Sequence, residues 1–547
     1  MRAKAKKGYL SLNAIAGSYV VLLGMDVASG SQSGLLGFAL KRTDHTDNED
    51  YWLNGFKTFE ATEPDVTPGG LVSTLEHPIQ GFLWGDYTAK PNHSYTYTVV
   101  AMKGSPKNLV QDDTVAVDIS TENEDSGTQA VWFNRGVAGS QAYARKFKNV
   151  RPDRMPDSEA LQAFQWLSRG LEEAMLAFIA QAKGNTFALR ASVYEFQYQP
   201  VLKAFGEAKG TGADVKIVFD ARQNSKDSPD HENREAINQA GIENLCTPRT
   251  ANPSYISHNK FIVLLENGVP TQVWTGSTNF TEGGIYGHSN VGHVVRDQKV
   301  AQAYLDFWNE LSGDPQAREL RPWDENKSPV PAGDPPAGQT IPIFSPRPSL
   351  QALQWYAQLF GAADKPVFFT AAFGVNDLFQ KVLDEDKGSL RYVLLDKDDK
   401  GLEIIKRDTD NRIAYGAVLG QGLLDRWAAE KLTGFNTHVS YIHTKYMLID
   451  PLGPDPVVIS GSANFSNAST TNNDENMLVI RGDTRVADIY LGEFMRLFNQ
   501  FLFRDFADRK SSGQSFTGKY LDPTDGWTSD YYHAGSPKEK ERIYFAG

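Results

Sequence analysis

One cysteine, Cys246, stands among 547 residues. It has no partner for an intrachain disulfide, which points to a reducing compartment, argues against a metal–thiolate centre and leaves it the role of a small buried hydrophobe. Long apolar runs are also lacking: none reaches the roughly 18 residues of a membrane-spanning helix. The opening MRAKAKKGYLSLNAIAGSYVVLLGMDV is basic and then apolar, but Asn13, Gly17 and Ser18 interrupt it. Its alternation suits a strand better than a leader peptide, so a water-soluble, cytoplasmic chain is expected. A basic surplus is missing as well. Lys and Arg number 55 against 67 Asp and Glu, a net charge of −12, so overall charge gives no long-range attraction to nucleic acid or an anionic membrane.

A chain of this length exceeds what one hydrophobic core serves. Residues 1–145 read as short strands broken by turns, among them YVVLLGMDVA, GLLGFALKR, SYTYTVVAMK and TVAVDISTE, which predicts an all-β sandwich. In KPNHSYTYTVVA a proline-containing turn precedes a Tyr-x-Tyr strand, a pattern that resembles fibronectin type III domains, with Tyr95 at the corner position. From about residue 150 helical and strand patterns alternate, which predicts an α/β lobe over 150–325. A proline-rich connector over 326–345 leads to a second α/β lobe over 346–510, and 511–547 reads as an irregular tail. The expected fold is two pseudo-symmetric α/β lobes, mixed sheets flanked by helices, behind a β-sandwich.

The two lobes repeat. His258 and His443 lie 185 positions apart, as do Lys260 and Lys445, Gly276 and Gly461, Ser277 and Ser462, Asn279 and Asn464, and Phe280 and Phe465. Farther on the offset is 186, for Asn290 with Asn476, Val300 with Val486, Ala301 with Ala487 and Tyr304 with Tyr490, which reads as one residue inserted ahead of Asn476. In each copy His and Lys are two apart, so on a strand both reach the same face. A histidine can attack phosphorus or pass a proton near neutral pH, and a fixed cation beside it offsets charge building on phosphoryl oxygens. The segments GSTNF and GSANF place Ser277, Ser462, Asn279 and Asn464 as donors to non-bridging phosphate oxygens. Two copies together would surround one phosphate without a metal or any other cofactor.

The pattern H-x-K-x4-D followed by G-S-x-N resembles the phospholipase D superfamily, the HKD enzymes. HTKYMLID and GSANFS match it fully, with Asp450 at the acidic position; HNKFIVLL and GSTNFT match except that Leu265 stands there. Asp450 is an odd number of residues from His443, so on a continuous strand it points away from the His/Lys face and braces the fold. The resemblance covers about Pro156 to Arg509. It implies catalytic roles for His258, Lys260, Asn279, His443, Lys445 and Asn464, substrate binding by Ser277 and Ser462, and support from Glu475 and Asp450. Glu475 resembles the acidic residue that orients an imidazole in the family; its counterpart is Ser289 if Asn476 aligns with Asn290. His288 and His293 have no equivalents in the second copy and are read as structural or substrate-side.

The implied reaction is a two-step displacement. One imidazole, taken as His258 because it lies in the first motif, forms a phosphohistidine; the other protonates the leaving alkoxide and then activates water. A phospholipid head-group substrate is favoured slightly over nucleic acid on charge grounds. A nuclease, a phosphatidyl transferase and a binding protein with a decayed first site are the alternatives. Two lobes in one chain complete the site, so a monomer is expected, with a protein partner for the N-terminal domain left open.

Overall fold

The computed structural model describes all residues except 66–69, 137–140, 224–227, 398–399, 404, 417–440 and 512–519. Arg2–Lys7, Leu10–Ala16, Val21–Val27 and Leu83–Asp86 form one antiparallel sheet, and Asn108–Ser120, Ser94–Ser105, Gly37–Asp44 and Glu49–Trp52 form a second. Alternation drives the pairing: Tyr95, Tyr97 and Val99 are buried while Thr96 and Thr98 between them are not. With Leu12, Leu23, Phe38 and Leu40 they fill one core between the sheets. Tyr95 Oη accepts a hydrogen bond from Lys90 N at 2.9 Å, which ties its strand to the turn carrying Pro91.

The sandwich is shorter than the 1–145 read from sequence. Gln129–Phe133 leaves it and pairs antiparallel with Val291–Val295 in the first lobe, because all five of its side chains are buried and need cover on both faces.

That lobe's sheet runs Asp125–Ser126, Gln129–Phe133, Val291–Val295, Val269–Gly276, Lys260–Glu266, Phe187–Val193, Asp214–Asp220, Cys246–Arg249. The second runs Thr340–Ser345, Glu475–Arg481, Val457–Gly461, Tyr446–Ile449, Val367–Ala371, Arg391–Leu395, Asn411–Tyr415. Apart from Asp125–Ser126 the two sheets correspond strand for strand, with parallel pairing confined to the last three strands of each. The expected connector over 326–345 therefore ends inside the second lobe. Pro342 made it look like a linker, but Thr340–Ser345 is an edge strand, where a missing N–H costs no ladder bond.

Helices Gln298–Ser312 and Thr484–Ser511 lie between the sheets, and their buried residues Tyr304, Phe307, Tyr490 and Phe494 join Phe261, Val263, Tyr446 and Leu448 in a core shared by both lobes. Each helix starts from an aspartate: Asp297 Oδ1 accepts from Lys299 N and Val300 N, and Asp483 Oδ1 from Val486 N. Among the described residues no helix is long and apolar enough to cross a membrane.

The tail, read as irregular, is partly helical: Asp525–Tyr531 is a 3-10 turn and Pro537–Ala546 an α-helix. Its signal was a cap rather than a period, since Ser536 accepts from Glu539 N and Pro537 opens the helix. The helix lies so close to the sandwich that a Cβ on Gly24 would stand 2.2 Å from Phe545 O. Tyr544 Oη donates to Asp450 Oδ1 at 3.2 Å, which ties the motif aspartate to the tail.

Leu265, at the position equivalent to Asp450, is buried in the shared core. Restoring the motif by Leu265→Asp is expected to destabilise the protein by about 3 kcal/mol, read as a lower denaturation midpoint. An unchanged midpoint would show that this position tolerates a carboxylate.

Candidate active site

The strand assignments begin at Lys260 and Tyr446, so both histidines sit just before their strands rather than inside them. What fixes them is pairing across the lobes. His258 N donates to Asp474 O at 2.9 Å and Asp474 N to Ile256 O at 3.0 Å; Ser289 N donates to Tyr441 O at 2.7 Å and His443 N to Ser289 O at 3.1 Å. Carboxylates anchor the same segments: Asp220 Oδ2 accepts from Ser257 N at 2.7 Å, and Asp396 Oδ1 from Tyr441 N and Ile442 N at 2.7 and 2.9 Å. The ring centroids of His258 and His443 come within 6.4 Å. Lys260 Nζ and Lys445 Nζ each donate to the carbonyl of their own histidine, at 2.6 and 2.5 Å.

The two imidazoles differ in what stands behind them. His258 Nδ1 meets Glu475 Oε2 at 2.9 Å, whereas His443 Nδ1 meets Asn290 Oδ1 at 3.0 Å and Ser277 O at 3.1 Å. A main-chain carbonyl only accepts and an ionised carboxylate only accepts, so in both rings Nδ1 carries the hydrogen and Nε2 keeps its lone pair. Ser277 and Ser462, expected on the phosphate, are occupied elsewhere: their Oγ atoms donate to Asn290 Oδ1 at 2.8 Å and to Glu475 Oε2 at 2.7 Å. They orient the groups that orient the imidazoles. Asn279 Nδ2 donates to Glu195 Oε2 at 2.6 Å, and the Oδ1 atoms of both Asn279 and Asn464 are buried without a partner among the described residues.

Asn290 therefore takes Glu475's place in the first lobe, at an offset of 185, and the alignment of Glu475 with Ser289 is overturned. Gly276 pairs with Gly292 and Gly461 with Met477, so the offset of 185 runs on through these strands. The inserted residue is Gly482, between Arg481 and the cap Asp483. Two asparagines, 290 and 476, had suggested an earlier insertion by coincidence of residue type. Asn476 has its own task, with Nδ2 donating to Asn259 Oδ1 and Oδ1 accepting from Tyr304 Oη and Thr275 Oγ1.

His288 lies against His443, ring centroids 4.8 Å apart, and its Nδ1 accepts from Asn290 Nδ2 at 2.9 Å. His293 is buried in packing, with Nδ1 on Tyr490 Oη and Nε2 on Gln129 Oε1. Glu195, Asn290, Asp220 and Asp396 were not among the candidates from sequence; extending the constant offset would have found Asn290, while the others depend on strand order.

Burial dominates the electrostatics. It lowers His258 to about 4, with Glu475 opposing, and Lys260 to about 8. His443 and Lys445 are held well below their usual values by burial and then by neighbouring cations. The free site therefore disfavours the charged forms of these four groups.

A family model described as "Cardiolipin synthase, PLD-like domain" matches residues 175–311 and 379–498. The match falls in two segments, one in each lobe. Each segment holds one His/Lys pair and one Gly-Ser-x-Asn loop. A search of curated proteins gave no match. Among solved structures, phosphatidylserine synthase from Haemophilus influenzae Rd KW20 is similar at 13% identity, covering 70% of this chain and 94% of that one, with a TM-score of 0.42. The phospholipase D family member Nuc from Salmonella typhimurium is 24% identical over 34% of this chain and 95% of its own, with a TM-score of 0.23. Polyphosphate kinase from Porphyromonas gingivalis is 10% identical over 64% of this chain, TM-score 0.38, and the match spans 51% of that chain, about half its length.

An anion between the PLD-like segments should raise the depressed histidine and lysine values, so binding draws in protons. Sulfate, which does not titrate near neutrality, is expected to bind with net proton uptake and to weaken as pH rises above about 8, where free Lys260 is losing its charge. Calorimetry in buffers of unequal ionisation heat measures this; pH-independent binding without uptake contradicts it.

Proposed function

We propose that this chain is a phosphodiesterase that works by a phosphohistidine intermediate, with His258 as nucleophile and His443 as acid and then base. The observation that carries the reading is the apposition of two buried imidazoles, each with Nδ1–H engaged and Nε2 available, beside two lysines. In the first step His258 Nε2 gives its lone pair to phosphorus, the P–O bond to the leaving alkoxide breaks, and a proton on His443 Nε2 passes to that oxygen. In the second, neutral His443 takes a proton from water as its oxygen attacks phosphorus, and the P–N bond returns its electrons to His258. The ring that carries positive charge in the intermediate is best backed by a carboxylate, and Glu475 faces His258 while an amide faces His443. Substrate anion restores the proton that burial withholds from His443. Lys260 and Lys445 supply cationic charge that a metal would otherwise give, so a chelator is expected to leave the rate unchanged.

A phospholipid head group is the favoured substrate. The net charge of −12 and the matching "Cardiolipin synthase, PLD-like domain" model support it. An alcohol taking water's place would give transfer by the same steps. One chain supplies both motifs, which supports a monomer. The N-terminal sheets have the strand order and the Tyr95–Lys90 corner that support a fibronectin type III-like domain, a docking module for a protein partner.

A p-nitrophenyl phosphodiester needs no acid to lose its leaving group. His443→Ala should therefore accumulate a phospho-adduct on His258, seen by mass spectrometry, and His258→Ala should form none. An adduct on His443 would reverse the roles, and absence of any adduct would remove the covalent route. Glu475→Gln should slow turnover by roughly 100-fold or more. Incubation with vesicles should release choline, ethanolamine or serine; cleavage of DNA without head-group release would refute the lipid assignment.

A further inference from the structure

The two flanks of the phosphate site are not alike. Ala191 pairs with Ile262 and Phe369 with Met447, the counterpart of Ile262 at the offset of 185, so Glu195 and Phe373, each four residues farther on, occupy the same position in the two lobes. In the first lobe the chain leaving the strand is sewn to the Gly-Ser-x-Asn-Phe loop: Phe280 N donates to Glu195 O at 3.1 Å, and Gln197 N and Tyr198 N donate to Phe280 O at 2.9 and 2.8 Å. Phe196 packs beside Phe280, and the Glu195 carboxylate holds Asn279. That flank is full.

In the second lobe, among the described residues, the chain from Phe373 to Asn376 makes no main-chain bond to Phe465. A pocket of about 190 Å³ opens there instead, walled by Phe373, Val375, Gly374 and Phe465 and reaching Lys445 and Asn464. Phe373 leaves 59% of its surface exposed at the mouth, and Lys445 Nζ lies 5.9 Å from its ring centroid. Exposed aromatic surface next to a buried lysine suits a ligand with an anionic centre and an apolar arm.

We infer that this pocket receives an apolar alkoxy substituent of the phosphodiester, a glycerol backbone with the first carbons of its chains, so that substrates enter with that arm toward Phe373. The inference rests on the phosphodiesterase reading and adds to it the side on which the apolar arm sits. Carboxylate on the opposite flank opposes a polyanion threading through the site, because a nucleic acid would bring a further phosphate toward Glu195.

Calorimetry with inorganic, methyl, butyl and hexyl sulfate separates the possibilities. Wild-type affinity is expected to rise on the order of fourfold per methylene until the pocket fills. In Phe373→Ser, on the exposed rim, the gain should fall below about twofold per methylene, with inorganic sulfate bound as in the wild type. Failure of the wild type to bind sulfate at all would remove the phosphodiesterase reading and this inference with it. Sulfate binding with no gain along the series, or with an equal gain in Phe373→Ser, would overturn the pocket assignment alone. Tighter binding of thymidine 5′-phosphate than of hexyl sulfate would overturn it in favour of a nucleoside arm.

Discussion

Each imidazole at the centre of this protein is oriented by a side chain from the opposite lobe, His258 by Glu475 and His443 by Asn290. Neither lobe can build a working geometry alone, so the relative placement of two large sheets must hold to a fraction of an ångström. The molecule meets that demand with a core that belongs to both halves. The paired helices Gln298–Ser312 and Thr484–Ser511 are packed between the sheets, and the main-chain bridges at Ser257 with Asp474 and at Ser289 with Ile442 carry the register into the site. Interiors packed at this density transmit displacement rather than absorb it.

The second constraint is charge. Two lysines and three histidines are buried together in a protein whose surface is acidic overall. Their values shift toward neutrality because the interior solvates cations badly, and Glu475, Glu195 and Asp220 offset only part of that cost at Lys260. Neutral imidazoles held by their Nδ1 hydrogens suit the nucleophilic attack of the proposed reaction, in which an incoming phosphate would favour the positive charge that burial disfavours. Burial thus disfavours positive charge on His258, His443 and Lys445 in the empty site, and a bound anion would favour it.

The duplication and the principal side chains were legible in the sequence because they rest on spacing. A period of two, a constant offset and a strand–helix alternation survive projection onto one dimension. Tyr95 was legible for the same reason, as a local pattern beside a turn. What failed had its cause in three dimensions. Pro342 resembles a linker residue until the edge strand that tolerates it is known, and Gln129–Phe133 joins the first lobe's sheet through a strand more than 150 residues later. Ser277 and Ser462 were placed on substrate by chemistry alone, whereas the partners that occupy their hydroxyls are fixed by the fold. Asn290 was within reach of the arithmetic and was lost to a chance identity with Asn476.

A cleft with perfect twofold symmetry would accept an unsymmetrical diester either way round and could sever either ester linkage. Here one ring leans on an anion and its twin on an amide. In the proposed reaction that replacement, Asn290 for a glutamate, adds to the unlike flanks at Glu195 and Phe373 in making the two orientations inequivalent. Broken symmetry becomes regiochemistry, the choice of which of two oxygens departs.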